Sequence, residues 1–325
     1  MRRVRSLAPV LAILLFGGCA LFGGTDEAPD GAEPPEPEIV RLSDGRQVMG
    51  TVLQITLEVT DEPSGRALLE VLFEEALRLE SILTTWDPDS AAMELNRNAD
   101  GTPLPVPPEL HLMLAESRIA ARETQGVFDV TVAPLVQLWK KAAETGTLPT
   151  EQAIRAAQAR IGAERILLGA ETALLERGMT VDFSGIGKGW ALDRLGEWID
   201  EPFVTAALLD FGGSSWLARG APDGEPTWVV LIAVGAGEPR LVRLRDESLS
   251  VSESFGQTIR VGDRVLSHVI DPRSGWPVLH DVSAAVRAPT GARAEAWSTA
   301  LLVWPPGEGV GRARRTGELE VLVLD

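Results

Sequence analysis

From Thr205 to the C-terminus the chain is built mostly of short strand-like segments: AALLDFGG, SWLARG, TWVVLIAV, RLVRLRD, SLSVS, TIRVG, RVLSHVI, VSAAVRA and finally LEVLVL. Helical spacing gathers before that point. Leu68, Leu69, Leu72, Phe73, Ala76, Leu79 and Leu83 share one helical face from Ser64 onward, a second helix is predicted from about Pro108 to Glu123, and Thr150 caps a third, EQAIRAAQARIG. One further helix, around Ala294 to Leu302, precedes the last strand. Strands in clusters and helices in clusters point to an α+β fold with largely antiparallel sheet, not to an alternating βαβ array. Near the start, RLSDGRQV reads as a hairpin leading into MGTVLQITLEV, where Leu53, Ile55, Leu57 and Val59 alternate as in a half-buried strand. ERILLGAETALLERGMTVDFSG reads as two strands meeting at a turn. No internal repeat or long linker follows residue 39, so residues 39–325 are expected to form a single two-lobed domain.

The first residues are of another kind. MRRVRSLAPVLAILLFGGCA has basic residues, then an apolar run from Leu7 to Phe16 too short to span a bilayer, then small residues. It resembles a bacterial lipoprotein signal covering residues 1–18, cleaved so that Cys19 can carry lipid; the other reading is an ordinary secretory signal. Cys19 is the only cysteine, so no disulfide forms within the chain. Residues 19–38 are acidic and rich in Pro and Gly, a composition that buries nothing and reads as a tether. The implied location is the periplasmic or outer face of a bacterial membrane, held there by the lipid anchor. The formal charge of -17 and the lack of a basic stripe argue against a nucleic-acid partner. An anionic ligand must then be held locally, by backbone amides, a few basic side chains or a metal. With nine Trp and no Tyr, stacking on a flat ligand would fall to Trp or Phe.

Four stretches could carry chemistry. In DFSGIGKGWALDRL, Lys188 sits between glycines before a helix expected near Trp190, but the spacing and the absence of Ser or Thr after the lysine rule out a nucleotide-triphosphatase P-loop. The glycines either let backbone approach a phosphate at a helix N-terminus or only make a tight turn with Lys188 solvated. In GVFDVTVAPLVQLW, Asp129 and Thr131 lie two apart in a possible strand, positioned to bond a ligand hydroxyl or to cap the turn ending at Pro134. In SHVIDPRSGWP, His268 ends an apolar strand beside Asp271 and is either a general base or a satisfied strand-end residue. In AEAWSTALL, Glu295 and Thr299 are four apart, which on a helix stacks a carboxylate over a hydroxyl. Those hard oxygens suit Mg²⁺, or the acid simply favours the helix dipole.

Taken in order, these segments resemble the FAD:protein FMN transferases, the ApbE family. The resemblance runs from about Met49 to the C-terminus through MGT at 49–51, LTTWDPDSAAMELN at 83–96, the stretches at 126–139 and 181–195, LDFGGSSWLARG at 209–220, SHVIDPRSGWPV at 267–278 and RAEAWSTALLV at 293–303. It implies an enzyme that binds FAD and Mg²⁺, transfers FMN to a threonine hydroxyl of an exported or membrane redox subunit and releases AMP. The acceptor threonine would lie in an Asp-x-x-Ser/Thr-Gly/Ala-Ala/Ser-Thr type of motif, of which this chain has no good copy. By the same resemblance Met49 and Trp86 lie near the flavin, Asp129 and Ser252 bind FAD, and Lys188 sits by its phosphates. The Gly185 carbonyl, Glu295 and Thr299 are the implied metal ligands. His268 and Asp271 face the transfer centre, with His268 as the base.

Three positions depart from the family pattern. Glu295 stands where Asp is usual, Gly185 where Ala or Thr is common, and VSESF at 251–255 replaces a Thr-Ser-Gly segment, which puts the charge of Glu253 in place of a glycine. Two other readings stand beside transfer: an FAD pyrophosphatase that keeps the site but uses water as acceptor, and a non-catalytic flavin-binding lipoprotein whose Glu295 and Glu253 changes have disabled the metal site.

Overall fold

Antiparallel pairing begins at the first strand of the fold. In a computed structural model describing residues 37–233 and 238–324, β1 (Val40–Val48) runs back along β2 (Thr51–Val59) with Val48 opposite Thr51 and Val40 opposite Val59. The reversal falls at Met49 and Gly50, both left-handed with φ of 50° and 74°, as a two-residue primed turn requires. The Asp44-Gly45 pair expected to make the hairpin lies inside β1 instead, opposite Ile55 and Gln54. The reason is that β2 pairs along its whole length, so a reversal at Asp44 would strip partners from half of its backbone. The alternating apolar residues Leu53, Ile55, Leu57 and Val59 are fully buried.

Next come α1 (Glu62–Leu83), α2 (Ala91–Arg97), β3 (Leu104–Pro105), α3 (Pro108–Glu123), α4 (Ala133–Thr145), α5 (Glu151–Gln158), β4 (Leu167–Leu168), β5 (Thr172–Leu174) and α6 (Gly187–Gly196). The second half holds β6 (Val204–Phe211), β7 (Ser215–Arg219), β8 (Trp228–Ile232), β9 (Arg240–Leu244), β10 (Glu247–Glu253), β11 (Thr258–Val261), β12 (Arg264–Ser267) and β13 (Ser283–Ala288), then α7 (Gly291–Leu301), α8 (Pro306–Arg315) and β14 (Glu320–Leu324). Among the described residues seven strands form the main sheet in the order β1-β2-β6-β7-β10-β13-β14, each antiparallel to its neighbours. The α+β antiparallel class expected from the strand clusters is therefore the observed one.

The helices were placed by their apolar spacing and by their ends. All seven apolar positions expected on the first helix are buried on α1, and each fully buried Leu or Phe contributes about 1.5–3 kcal/mol. Thr150 caps α5, its hydroxyl accepting the Ala153 N–H at 3.2 Å. The segment around Asp129 is a correction: residues 127–132 form turns and bends, not a strand, and α4 starts directly after them. Pro134 occupies the first turn of α4, where its missing N–H costs nothing.

α6 and α7 pack against the main sheet with Trp190, Leu195, Trp297 and Leu301 in its core. A separate cluster of Leu135, Trp139, Ile154, Val261, Leu266 and Ile270 joins α4 and α5 to the β11–β12 hairpin. Residues 38–325 make one compact unit. The expected leader, Cys19 and nearly all of the tether lie outside the described residues.

Candidate functional site

The GIGKG run carries the chain into α6, which begins at Gly187, three residues earlier than expected, so Lys188 lies within its first turn. The N-terminal end of α7 meets this turn. A Cβ on Gly189 would fall well inside contact distance of the Gly291 carbonyl, and one on Gly291 would meet the Gly189 carbonyl in the same way. Only residues without a Cβ let the two backbones touch there. Asp193, one turn along α6, closes the junction by accepting the N–H groups of Gly291 at 2.6 Å and Ala292 at 2.9 Å. It thereby satisfies two orphan amides of α7.

Burial pushes the Asp193 carboxyl up to about 6, against the opposing pull of those two amide bonds. A carboxyl raised on folding stabilises the fold fully below its ordinary range near 4, and that contribution disappears as pH rises through about 6. The shift corresponds to about 3 kcal/mol at most. Denaturant titrations at a series of pH values should show wild-type stability falling between pH 4 and 6 relative to Asp193→Asn, whose amide does not titrate. Parallel curves for the two proteins would contradict this.

The junction aims Glu295, one turn into α7, at α6. Its carboxylate is buried, with Oε1 accepting from Lys188 Nζ and Oε2 from the Gly189 N–H, both at 2.6 Å. Thr299 follows one turn later, and a Cβ built on Gly185 would lie 3.6 Å from its Oγ1. Gly185, Lys188, Glu295 and Thr299 are thus brought together. Ser298 lies between the two α7 side chains, its Oγ 2.8 Å from Ser252 Oγ and 3.1 Å from Ser250 Oγ. Ser252 therefore faces α7 and pins it to β10.

Beside this cluster opens a cleft of about 400 Å³, with Met49, Trp86, Asp182, Phe183 and Lys188 among its walls. Trp86 is 86% exposed there and Lys140 Nζ stands 5.6 Å from its ring. Asp129 is buried behind the cleft: Oδ1 accepts the Thr131 N–H and hydroxyl at 2.7 and 2.5 Å, and Oδ2 accepts the Ala163 N–H at 2.9 Å. Burial raises its pKa, and these bonds hold the turn whose Val130 carbonyl accepts the Asp182 N–H at 2.8 Å.

His268 and Asp271 stand on the loop after β12. His268 Nδ1 is 2.9 Å from the Gln257 carbonyl, which can only accept, so Nδ1 is the donor of that bond and Nε2 is left outside it. Asp271 holds Arg273 through two contacts of 3.0 Å. Among the described residues no hydrogen bond or ion pair joins either to the Lys188–Glu295 cluster.

Residues 49–323 match the ApbE family. The chain belongs to that family. An FAD:protein FMN transferase of Klebsiella pneumoniae is 31% identical over 315 residues, 93% of this chain and 89% of the relative. One from Escherichia coli K12 is 28% identical, covering 94% and 90%. Among solved structures, the Pseudomonas stutzeri flavinyl transferase ApbE in its apo form superposes with a TM-score of 0.77 at 24% identity over 88% of this chain and 94% of that one. The Vibrio cholerae flavin transferase ApbE gives 0.74 at 22% over 88% and 93%. These are likenesses of fold, and the ApbE match itself opens at Met49, the left-handed turn residue on the cleft wall. Sequence reasoning missed Gly291 and Asp193, which hold the ApbE-type site together; the Gly of the PTGARAE helix start was the available signal.

Proposed function

We propose that this ApbE-family chain is an enzyme that transfers FMN from FAD to a threonine hydroxyl of an exported or membrane redox protein, releasing AMP in a magnesium-dependent reaction. The observation carrying the reading is the convergence of Lys188, Glu295, Thr299 and Gly185 beside a cleft walled by Met49 and Trp86. A pyrophosphate needs its charge offset and its leaving group stabilised, and Lys188 supplies a cation at the cleft wall.

The donor set fits a hard cation: each Glu295 oxygen keeps a further lone pair beyond its bond to Lys188 or Gly189. Glu295, the Thr299 hydroxyl and the Gly185 carbonyl would hold Mg²⁺, whose charge, when bound, offsets that of the phosphates. Trp86 offers an exposed ring for the flavin. His268, with Nδ1 committed to the Gln257 carbonyl, receives the threonine proton on Nε2 as the threonine oxygen bonds to the FMN phosphorus. The P–O bond to AMP breaks in the same exchange, and AMP leaves with the bridging oxygen. A lipid on Cys19 and the tether at 19–38 would keep the domain within reach of a membrane-bound acceptor.

The test incubates the full chain with FAD, Mg²⁺ and a threonine-bearing acceptor domain and follows AMP and the acceptor mass. AMP with an FMN-sized mass gain is the expected result, lost when Mg²⁺ is chelated and when His268 is replaced by Gln. AMP release with an unmodified acceptor would replace transfer by hydrolysis, and bound, intact FAD would replace both by flavin binding.

A further inference from the structure

A second pocket, of about 630 Å³, lies along the C-terminal half of α3, with Arg118, Arg122, Gln125 and Glu164 among its walls. Several arginines of this acidic chain reach carboxylates, among them Arg41 to Glu58, Arg165 to Glu176, Arg293 to Glu123 and Arg312 to Glu308. Arg118 and Arg122 do not. Among the described residues neither guanidinium has a hydrogen-bond or ion-pair partner, and the Arg118 Nε is buried with its N–H unsatisfied. A buried donor left without an acceptor is costly, and a ligand oxygen would relieve it. The two residues are four apart on one helix, so their side chains rise from the same face.

Gln125 adds to the pattern. Its Oε1 accepts from Arg312 Nη1 at 2.5 Å, and since arginine only donates, the Gln125 amide nitrogen is left with its two N–H groups. Arg118, Arg122 and Gln125 thus offer donors from three side chains, and Glu164 alone among the lining residues carries a negative charge. A planar carboxylate is satisfied by one guanidinium fork, whereas a tetrahedral oxyanion can use donors arriving from three directions.

We propose that this pocket binds a phosphate group through Arg118, Arg122 and Gln125, independently of the flavin cleft. Two sources share that chemistry, free phosphate and a mononucleotide. Calorimetric titration of the full chain with inorganic phosphate and, separately, with AMP distinguishes them at constant ionic strength set with chloride. Lys188→Ala, carried in parallel, removes the cation of the flavin cleft. Phosphate should bind wild type and Lys188→Ala alike, and at least tenfold more weakly to Arg118→Gln. Arg122→Gln, at an exposed position, serves if the Arg118 variant is unstable. If only AMP shows this pattern, the site takes a nucleotide phosphate. Absence of binding by both probes at millimolar concentration, unchanged affinity in the arginine variants, or loss only in Lys188→Ala would overturn the proposal.

Discussion

Gly189→Ala lowers the unfolding free energy by about 3 kcal/mol or more, while Gly187→Ala, two residues earlier, changes it by less than about 1 kcal/mol. The difference lies in what the new methyl group meets. At Gly187 the nearest atom to a Cβ is Phe183 Cβ at 3.7 Å, an ordinary contact, and alanine is the better helix former. At Gly189 it meets the backbone of Gly291, which no rotamer change can move. α6 and α7 would have to separate, lengthening the Gly189 and Lys188 bonds to Glu295 and those of Asp193 to α7. Denaturant midpoints at constant slope measure both variants, and equal stability of the two would refute the close-approach account.

That pair of glycines marks where the sequence could be read and where it could not. The register of α1, the span of α3 and the Thr150 cap follow from local spacing and local chemistry, and they appear as expected. So does the antiparallel class, because short strands in succession carry it. The role of Gly189 depends on Gly291, about a hundred residues away, and no local pattern encodes that contact. The glycines suggested backbone approaching a phosphate, yet Gly189 admits another helix. Asp44-Gly45 misled for a related reason: a strong local turn signal was overridden by the full-length pairing of β2. Asp129 and Thr131 were read at a strand spacing, but the bond from Thr131 to Asp129 makes a turn of its own. Of the implied site residues, the four around Glu295 assemble through α6 and α7, while His268 and Asp271 are carried on the loop after β12.

Lys188→Ala is expected to reduce transfer by about a hundredfold to a thousandfold, the range for losing one positioned donor at developing charge, while Lys141→Ala, an exposed position, stays within about twofold. Lys140 is no neutral comparison because it stands over Trp86. Activity alone does not separate chemistry from structure, since removing Lys188 also leaves the buried Glu295 carboxylate with only the Gly189 N–H. Breaking a buried pair costs about 3–5 kcal/mol, less here because the Lys188 side chain is 24% exposed. Glu295→Gln in the Lys188→Ala background removes the stranded charge, so the double variant should regain stability over Lys188→Ala alone while transfer remains lost. Because Glu295 would also hold the metal, the double variant reports on stability alone; FAD binding measured without Mg²⁺, weaker in Lys188→Ala than in wild type, assigns its ammonium to the phosphates in the cleft. Equal binding would make Lys188 a counter-ion for Glu295 and nothing more.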